Sequence, residues 1–148
     1  MRVLFQRVRS ATVTVGGERV AEIGRGALLL VGVGREDTQR DAAHLAGKTR
    51  RLRVFPDENG CMNLPIDAVE GSLLAVSQFT LYGDCRRGNR PSFSSAAAPE
   101  TGRRIYEYYV EELERLGCRV ETGVFGAEML VELQNDGPVT LLLESSGR

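Results

Sequence analysis

Ala27-Leu28-Leu29-Leu30-Val31-Gly32-Val33 runs for seven residues without a polar side chain. A strand shows alternate residues to opposite faces, so a run that is apolar throughout needs cover on both sides. This stretch therefore predicts the central strand of a layered domain. Leu73-Leu74-Ala75-Val76 is a second apolar run, and it turns abruptly polar at Ser77-Gln78, then continues Phe79-Thr80-Leu81-Tyr82. A buried strand ending in Ser, Gln and Thr either starts an ordinary turn or aims donors and acceptors at a site beyond the sheet.

The rest of the chain fits around these two runs. Residues 2–8 alternate as a strand, with Val3 and Phe5 on one face and Leu4 and Val8 on the other. Arg7 falls on the Val3/Phe5 face, where an arginine must either reach out at the strand end or meet a partner. Thr12–Val15 and Arg19–Ile23 flank Gly16-Gly17, the signal of a tight hairpin. Thr38 and Asp41 form a capping box that opens a helix through about residue 52, with Ala42, Leu45, Ala46, Thr49 and Leu52 facing the core. A second helix is expected from Pro99 to Leu116, stopped by Gly117. Ile105, Tyr109, Leu113 and Leu116 are its apolar stripe, and Glu111, Glu112 and Glu114 its wet face. Met129–Leu133 and Val139–Leu143 read as two closing strands, with Asn135-Asp136-Gly137-Pro138 as a connector of ordinary turn chemistry. The expectation is a single α/β domain over 1–148: strand-rich, with about seven strands in a sheet or barrel-like arrangement and two main helices on one side.

Composition narrows the chemistry. Charged residues are 26% of the 148, and the net charge is −1, so no overall basic footprint marks a nucleic-acid binder. Any RNA would be held by a local patch. The loop Gly83-Asp84-Cys85-Arg86-Arg87-Gly88-Asn89-Arg90 offers one, with Arg86, Arg87 and Arg90 as phosphate-gripping candidates. Cys61, Cys85 and Cys118 are widely spaced, and His44 is the only histidine and lies off the apolar stripe of its helix. No disulfide framework, zinc site or Ser-His-Asp triad is expected, and no metal or cofactor. No apolar segment approaches the roughly 20 residues of a membrane helix, and the N-terminus does not read as a signal peptide, so a cytoplasmic protein is expected. Gly32-Val33-Gly34 follows a strand and precedes a helix, but the third glycine of a dinucleotide fingerprint is missing. What remains is a site of hydroxyls, an amide and backbone groups at Ser77, Gln78 and Thr80. Such a set can stabilise an oxyanion and orient a substrate, and it contains no general base.

Ser77-Gln78-Phe79-Thr80-Leu81 and Asn135-Asp136-Gly137-Pro138-Val139-Thr140 resemble the two signature motifs of the D-aminoacyl-tRNA deacylases. Val3–Val8 with Arg7, Phe55 to Asn63-Leu64, Arg90-Pro91-Ser92-Phe93-Ser94, and Glu121-Thr122-Gly123 with Phe125-Gly126-Ala127 resemble the same family in the same order. The resemblance covers nearly the whole chain. It implies hydrolysis of the ester that joins a D-amino acid to the 3′-terminal ribose of tRNA, with glycyl-tRNA mischarged on tRNA-Ala as a further substrate. It implies catalytic roles for Ser77, Gln78, Phe79 and Thr80, and substrate contacts from Gly137, Pro138, Arg7, Phe125 and Met129. It further implies a homodimer in which a cis Gly137-Pro138 bond from one subunit enters the other's site, rejecting L-amino acids by a clash, with Arg7 holding the turn. Ser77 and Phe79 match the D-specific group rather than the paralogous class that clears L-alanine, whereas Gly83 and Cys85 depart from the usual loop.

Two mechanisms suit that inventory: Thr80 as nucleophile, or a positioned ester whose ribose 2′-OH assists a water. The second needs no side-chain base and is preferred. Two other functions are carried alongside: an RNA acceptor-end binder without hydrolysis, and a general ester or peptide hydrolase acting through Thr80.

Overall fold

The computed structural model describes residues 1–145. Its spine is β1 (Arg2–Val15), a 14-residue strand that spans both segments expected as separate strands. β1 turns at Gly16 and Gly17 into β2 (Glu18–Ile23), and both glycines hold positive φ, +57° and +82°, where only glycine is at ease. β3 (Gly26–Gly32) returns antiparallel to the first half of β1, with Val3 opposite Val31 and Phe5 opposite Leu29.

From β3 the chain rises through α1 (Gln39–Arg51). Thr38 and Asp41 close the expected capping box, and Ala42, Leu45, Ala46 and Thr49 are buried. A short pair, β4 (Phe55–Pro56) and β5 (Met62–Leu64), precedes β6 (Ser72–Ser77), which lies parallel to β3. α2 (Pro99–Arg115) then leads to β7 (Arg119–Thr122), parallel to β6. Each parallel step thus carries its helix as a crossover, and the two helices pack against each other. Gly117, at φ +90°, ends the second helix as expected. Glu112 does not lie on the wet face: it is buried and paired with Arg115 one turn on.

The sheet order is β2-β1-β3-β6-β7, and the sheet curls so that it has two cores. Between the sheet and the helices lie Val3, Phe5, Leu29, Val31, Leu73 and Ala75 with Leu45, Ile105 and Tyr109. Inside the curl lie Val8, Val13, Ile23, Leu28, Leu74 and Val76. Alternate residues of β3 and β6 feed the two cores, which is why both runs are apolar throughout. Burying one such leucine contributes about 1.5–3 kcal/mol.

The end of the chain departs from expectation. Met129–Leu133 and Val139–Leu143 are not two strands of a hairpin; apart from Met129, which precedes it, they belong to one strand, β8 (Leu130–Glu144), 15 residues long and antiparallel to β1 on both sides of a bulge. Asn135-Asp136-Gly137-Pro138 is a bulged segment within it, where the register slips between Gln6 and Val8 and again between Val8 and Ser10. The physical reason is β1 itself, whose length offers pairing to both halves of β8, so that turn-type residues are absorbed as a bulge instead of reversing the chain. Among the described residues, β8 pairs with β1 alone, and its outer edge is open. Among the described residues, no helix is long and apolar enough to cross a membrane.

Candidate active site

β3 and β6 run in the same direction, so their C-terminal ends reach one edge of the sheet together, with Val31 beside Ser77. The Gln78 amide donates to the Val31 carbonyl at 2.8 Å, closing the last rung. There the strand stops, and Phe79–Tyr82 form a single 3-10 turn. Above this edge opens a cavity of about 370 Å³. Ser77, Gln78 and Phe79 line it from the strand end, and Val31 and Val33 from β3. Pro99, Gly102 and Tyr106 of α2 form another wall, and Phe125 and Gly126 complete it.

The walls are mainly apolar. Among the described residues, no carboxylate, imidazole, lysine or thiol lines the cavity, and Tyr106 is the one ionisable side chain that does. Burial pushes the Tyr106 phenol well above its ordinary pKa, and its hydroxyl donates to the Ala75 carbonyl at 3.0 Å. It is thus a fixed neutral wall packed 5.8 Å from the ring of Phe125. Phe79 and Phe93 meet edge to face at 5.2 Å at the mouth, and Phe79 is 59% exposed, so an apolar ring is presented to solvent beside the strand end.

Thr80 is exposed just outside the lining, and the Gln78 carboxamide bonds to its Oγ1. Neither end of a carboxamide is basic enough to take the hydroxyl's proton, so this contact does not activate Thr80 as a nucleophile. Phe125 lines the cavity. Met129 does not; it packs against the inner core beside Gly123, where an added Cβ would come within 2.7 Å of its sulfur.

Arg7 has the partners its position demands. Its Nε donates to the Asp136 carbonyl at 2.8 Å and its Nη1 to the Val54 carbonyl at 2.6 Å. Asn135 braces the same bulge from within: its Oδ1 accepts from the Val139 amide at 2.8 Å, and its Nδ2 donates to Thr140 Oγ1 at 2.9 Å. The Gly137-Pro138 peptide is cis, and both residues are exposed on β8, apart from the cavity lining.

The arginine loop is pinned as a narrow hairpin by reciprocal backbone bonds between Asp84 and Ser92. Within it Arg86 is already occupied: Nε and Nη2 grip the two oxygens of Asp84 at 2.9 and 2.7 Å. That fork holds the Asp84 carboxyl well below the usual carboxylate range. Arg87 and Arg90 stand exposed. Gly83 allows close packing, since a Cβ there would sit 3.0 Å from both the Phe93 ring and the Thr80 carbonyl.

Tyr106, Pro99 and Gly102 were not foreseen as site residues. A glycine in the first turn of an otherwise well-formed helix was the available signal, because it marks a place where something approaches the backbone closely.

Comparison with known proteins supplies the class. The family model for D-Tyr-tRNA(Tyr) deacylase matches residues 4–144. The D-aminoacyl-tRNA deacylase of Bacillus cytotoxicus is 55% identical over 145 residues, covering 98% of this chain and 99% of the relative. That of Thermosipho melanesiensis is 53% identical over 146 residues, covering 98% and 97%. The solved structure of a c-Myc DNA unwinding element binding protein superposes with a TM-score of 0.91 at 42% identity, covering 97% of this chain and 98% of that one. A probable eukaryotic D-amino acid tRNA deacylase shares the fold, with a TM-score of 0.83 at 18% identity and the same coverage. The chain belongs to the D-Tyr-tRNA(Tyr) deacylase family. It is a hydrolase of ester bonds, of the D-aminoacyl-tRNA deacylase class.

Proposed function

We propose that the cavity at the end of β6 receives the 3′ aminoacyl end of tRNA, and that hydrolysis there works by positioning rather than by a side-chain base. The observation that carries this is the lining itself: Ser77, Gln78 and backbone groups set in apolar walls, with no carboxylate or imidazole. Gln78 and the amides of the turn that begins at Phe79 polarise the ester carbonyl, and the ribose 2′-OH assists the attacking water. Phe79 and Phe125 supply apolar surface for the terminal nucleotide, and Arg87 and Arg90, with Arg86, supply charge toward tRNA phosphates.

The working unit is a homodimer. Gly137 and Pro138 of one subunit enter the partner's cavity, take the substrate ammonium with their carbonyls, and leave no room for an L side chain. Supporting this are the open outer edge of β8, its exposed Leu130, Leu133, Leu141 and Leu142, and the seating of Gly137 and Pro138 outside the protomer's own cavity. Glycine has no side chain to clash, so glycyl-tRNA mischarged on tRNA-Ala is a second substrate. The enzyme works in the cytoplasm, where aminoacyl-tRNA is found.

The deciding experiment compares D-tyrosyl-tRNA, L-tyrosyl-tRNA and D-tyrosyl-tRNA ending in 2′-deoxyadenosine. Fast loss of the first alone is expected. Equal half-lives with and without protein overturn the hydrolytic reading, and full-rate cleavage of the 2′-deoxy substrate overturns the assisted mechanism in favour of Thr80.

A further inference from the structure

The 3-10 turn that follows Gln78 is held from outside the cavity by a set of residues with no part in the chemistry described above. Tyr82, at the end of the turn, lies half-buried with its hydroxyl donating to Asp37 Oδ2 at 3.2 Å. The same oxygen accepts the Gly34 amide at 2.6 Å, and Asp37 Oδ1 meets the Met1 amino group at 2.5 Å. Asp37 is only 9% exposed, so its charge is committed to these partners. Arg2 closes the other side: its guanidinium carbon lies 4.6 Å from the centroid of the Tyr82 ring, and Nη1 donates to the Leu81 carbonyl at 2.8 Å.

Gly32-Val33-Gly34, which lacks the rest of a nucleotide-binding motif, belongs to this device. A Cβ on Gly34 would stand 2.8 Å from the Tyr82 ring, and one on Gly32 would stand 3.0 Å from Leu81 Cβ and 3.1 Å from the Gln78 carbonyl. Two bare backbone positions therefore form the seat on which the turn rests. Burial, then the Asp37 charge, push the Tyr82 phenol well above its ordinary pKa, so it stays a neutral donor to that carboxylate.

We infer that Asp37 and Tyr82 are positioning residues for the deacylase reaction: their hydrogen bond, with Arg2 across the ring, fixes the 3-10 turn and so aims Gln78 and the adjoining amides at the ester. Gln78 is the residue immediately before the turn, and its own carbonyl accepts the Leu81 amide at 3.2 Å, so a shift at Leu81-Tyr82 is passed directly to it. Misplacement by about 1 Å costs on the order of 100-fold in rate. Loss of one of several restraints on the turn costs less, and a tenfold effect is the expectation.

This inference rests on the assignment of the cavity as the deacylation site. Tyr82→Phe removes one oxygen and keeps the ring between Arg2 and Gly34; Asp37→Asn keeps the shape and removes the charge. Each is assayed on D-tyrosyl-tRNA beside the unaltered enzyme, with circular dichroism and melting to confirm a folded chain. Both variants are expected to lose about tenfold in kcat with KM within twofold, and the double variant to be no slower than Asp37→Asn alone, because the Tyr82 bond is among those that Asp37→Asn already weakens. An inactive unaltered enzyme refutes the site assignment. An active enzyme with Tyr82→Phe at full kcat, or with only KM raised, overturns the positioning role. So does a kcat that falls only as far as the folded fraction does. Should Asp37→Asn not fold, Tyr82→Phe alone decides.

Discussion

Arg7 donates its Nε to the carbonyl of Asp136, tying the first strand of the chain to the bulge of the last at 2.8 Å. The second bond of the same guanidinium, to Val54 at 2.6 Å, fixes it from the opposite side. A lysine cannot serve two carbonyls that lie in different directions with one compact ammonium. Arg7→Ala is expected to lower stability by about 2–4 kcal/mol, since hydrogen bonds from a charged donor are worth about 1.5–3 kcal/mol each and one orphaned carbonyl recovers water. Arg7→Lys should recover less than half of that. Urea unfolding of the three proteins measures both.

Gly137 has φ +141° and almost no room. A Cβ would lie 2.8 Å from Val139 Cγ2 and 3.1 Å from Arg7 Nη2. Gly137→Ala is expected to cost about 1–3 kcal/mol through backbone conformation alone. It should also push away the Arg7 guanidinium and slow turnover of D-tyrosyl-tRNA by at least tenfold. Parallel melting curves and deacylation rates test it, and a fully active, unchanged melt would contradict the crowding described.

Gln78 and Thr80 separate in their effects if positioning carries the reaction. Gln78→Ala is expected to lower kcat by about 10²-fold, the scale of one lost donor at a developing oxyanion. Thr80→Val keeps the shape and should stay within tenfold of the unaltered rate. Single-turnover deacylation distinguishes them, and an inactive Thr80→Val would restore the nucleophile.

The arginine loop should divide in the same way. Arg87→Ala and Arg90→Ala are each expected to reduce the slope of log affinity for tRNA against log salt by about 1, and Arg86→Ala by less, because its charge is spent on Asp84. The Asp84 carboxyl carries a depressed folded-state pKa, so the pair contributes fully above the ordinary aspartate range and is lost only as pH falls through the lower folded value. The loop is therefore expected to stay paired at pH 4–5. A carbon-detected NMR titration should find Asp84 ionised there, and Arg86→Ala should return it to the ordinary range.

The parts of the fold that were legible were those written in local chemistry. β3 and β6 are apolar on both faces because each feeds two cores, and Thr38 with Asp41 announces a helix by the bonds it must satisfy. β8 was read as two strands because Asn-Asp-Gly-Pro is turn chemistry in isolation; only the length of β1, a partner more than a hundred residues away, makes it a bulge. Glu112 was misjudged for a related reason, since it is paired with a residue three positions on whose rotamer no pattern reveals. At the site, Ser77 and Gln78 were legible as polar residues ending an apolar strand. Tyr106 was not, because it lies beside the expected stripe of Ile105 and Tyr109 and no local pattern marks the space next to it.

β8 keeps a row of unpaired backbone donors and acceptors along its outer side, with Leu133, Leu141 and Leu142 exposed upon it. A long apolar edge is a template for any passing strand, whether native or misfolded. The chain carries Gly137 and Pro138 on that same strand. Under the proposed dimer, covering that edge and completing the site are the same event, so a substitution that leaves the edge bare is expected to promote association with other strands and to lower deacylation together.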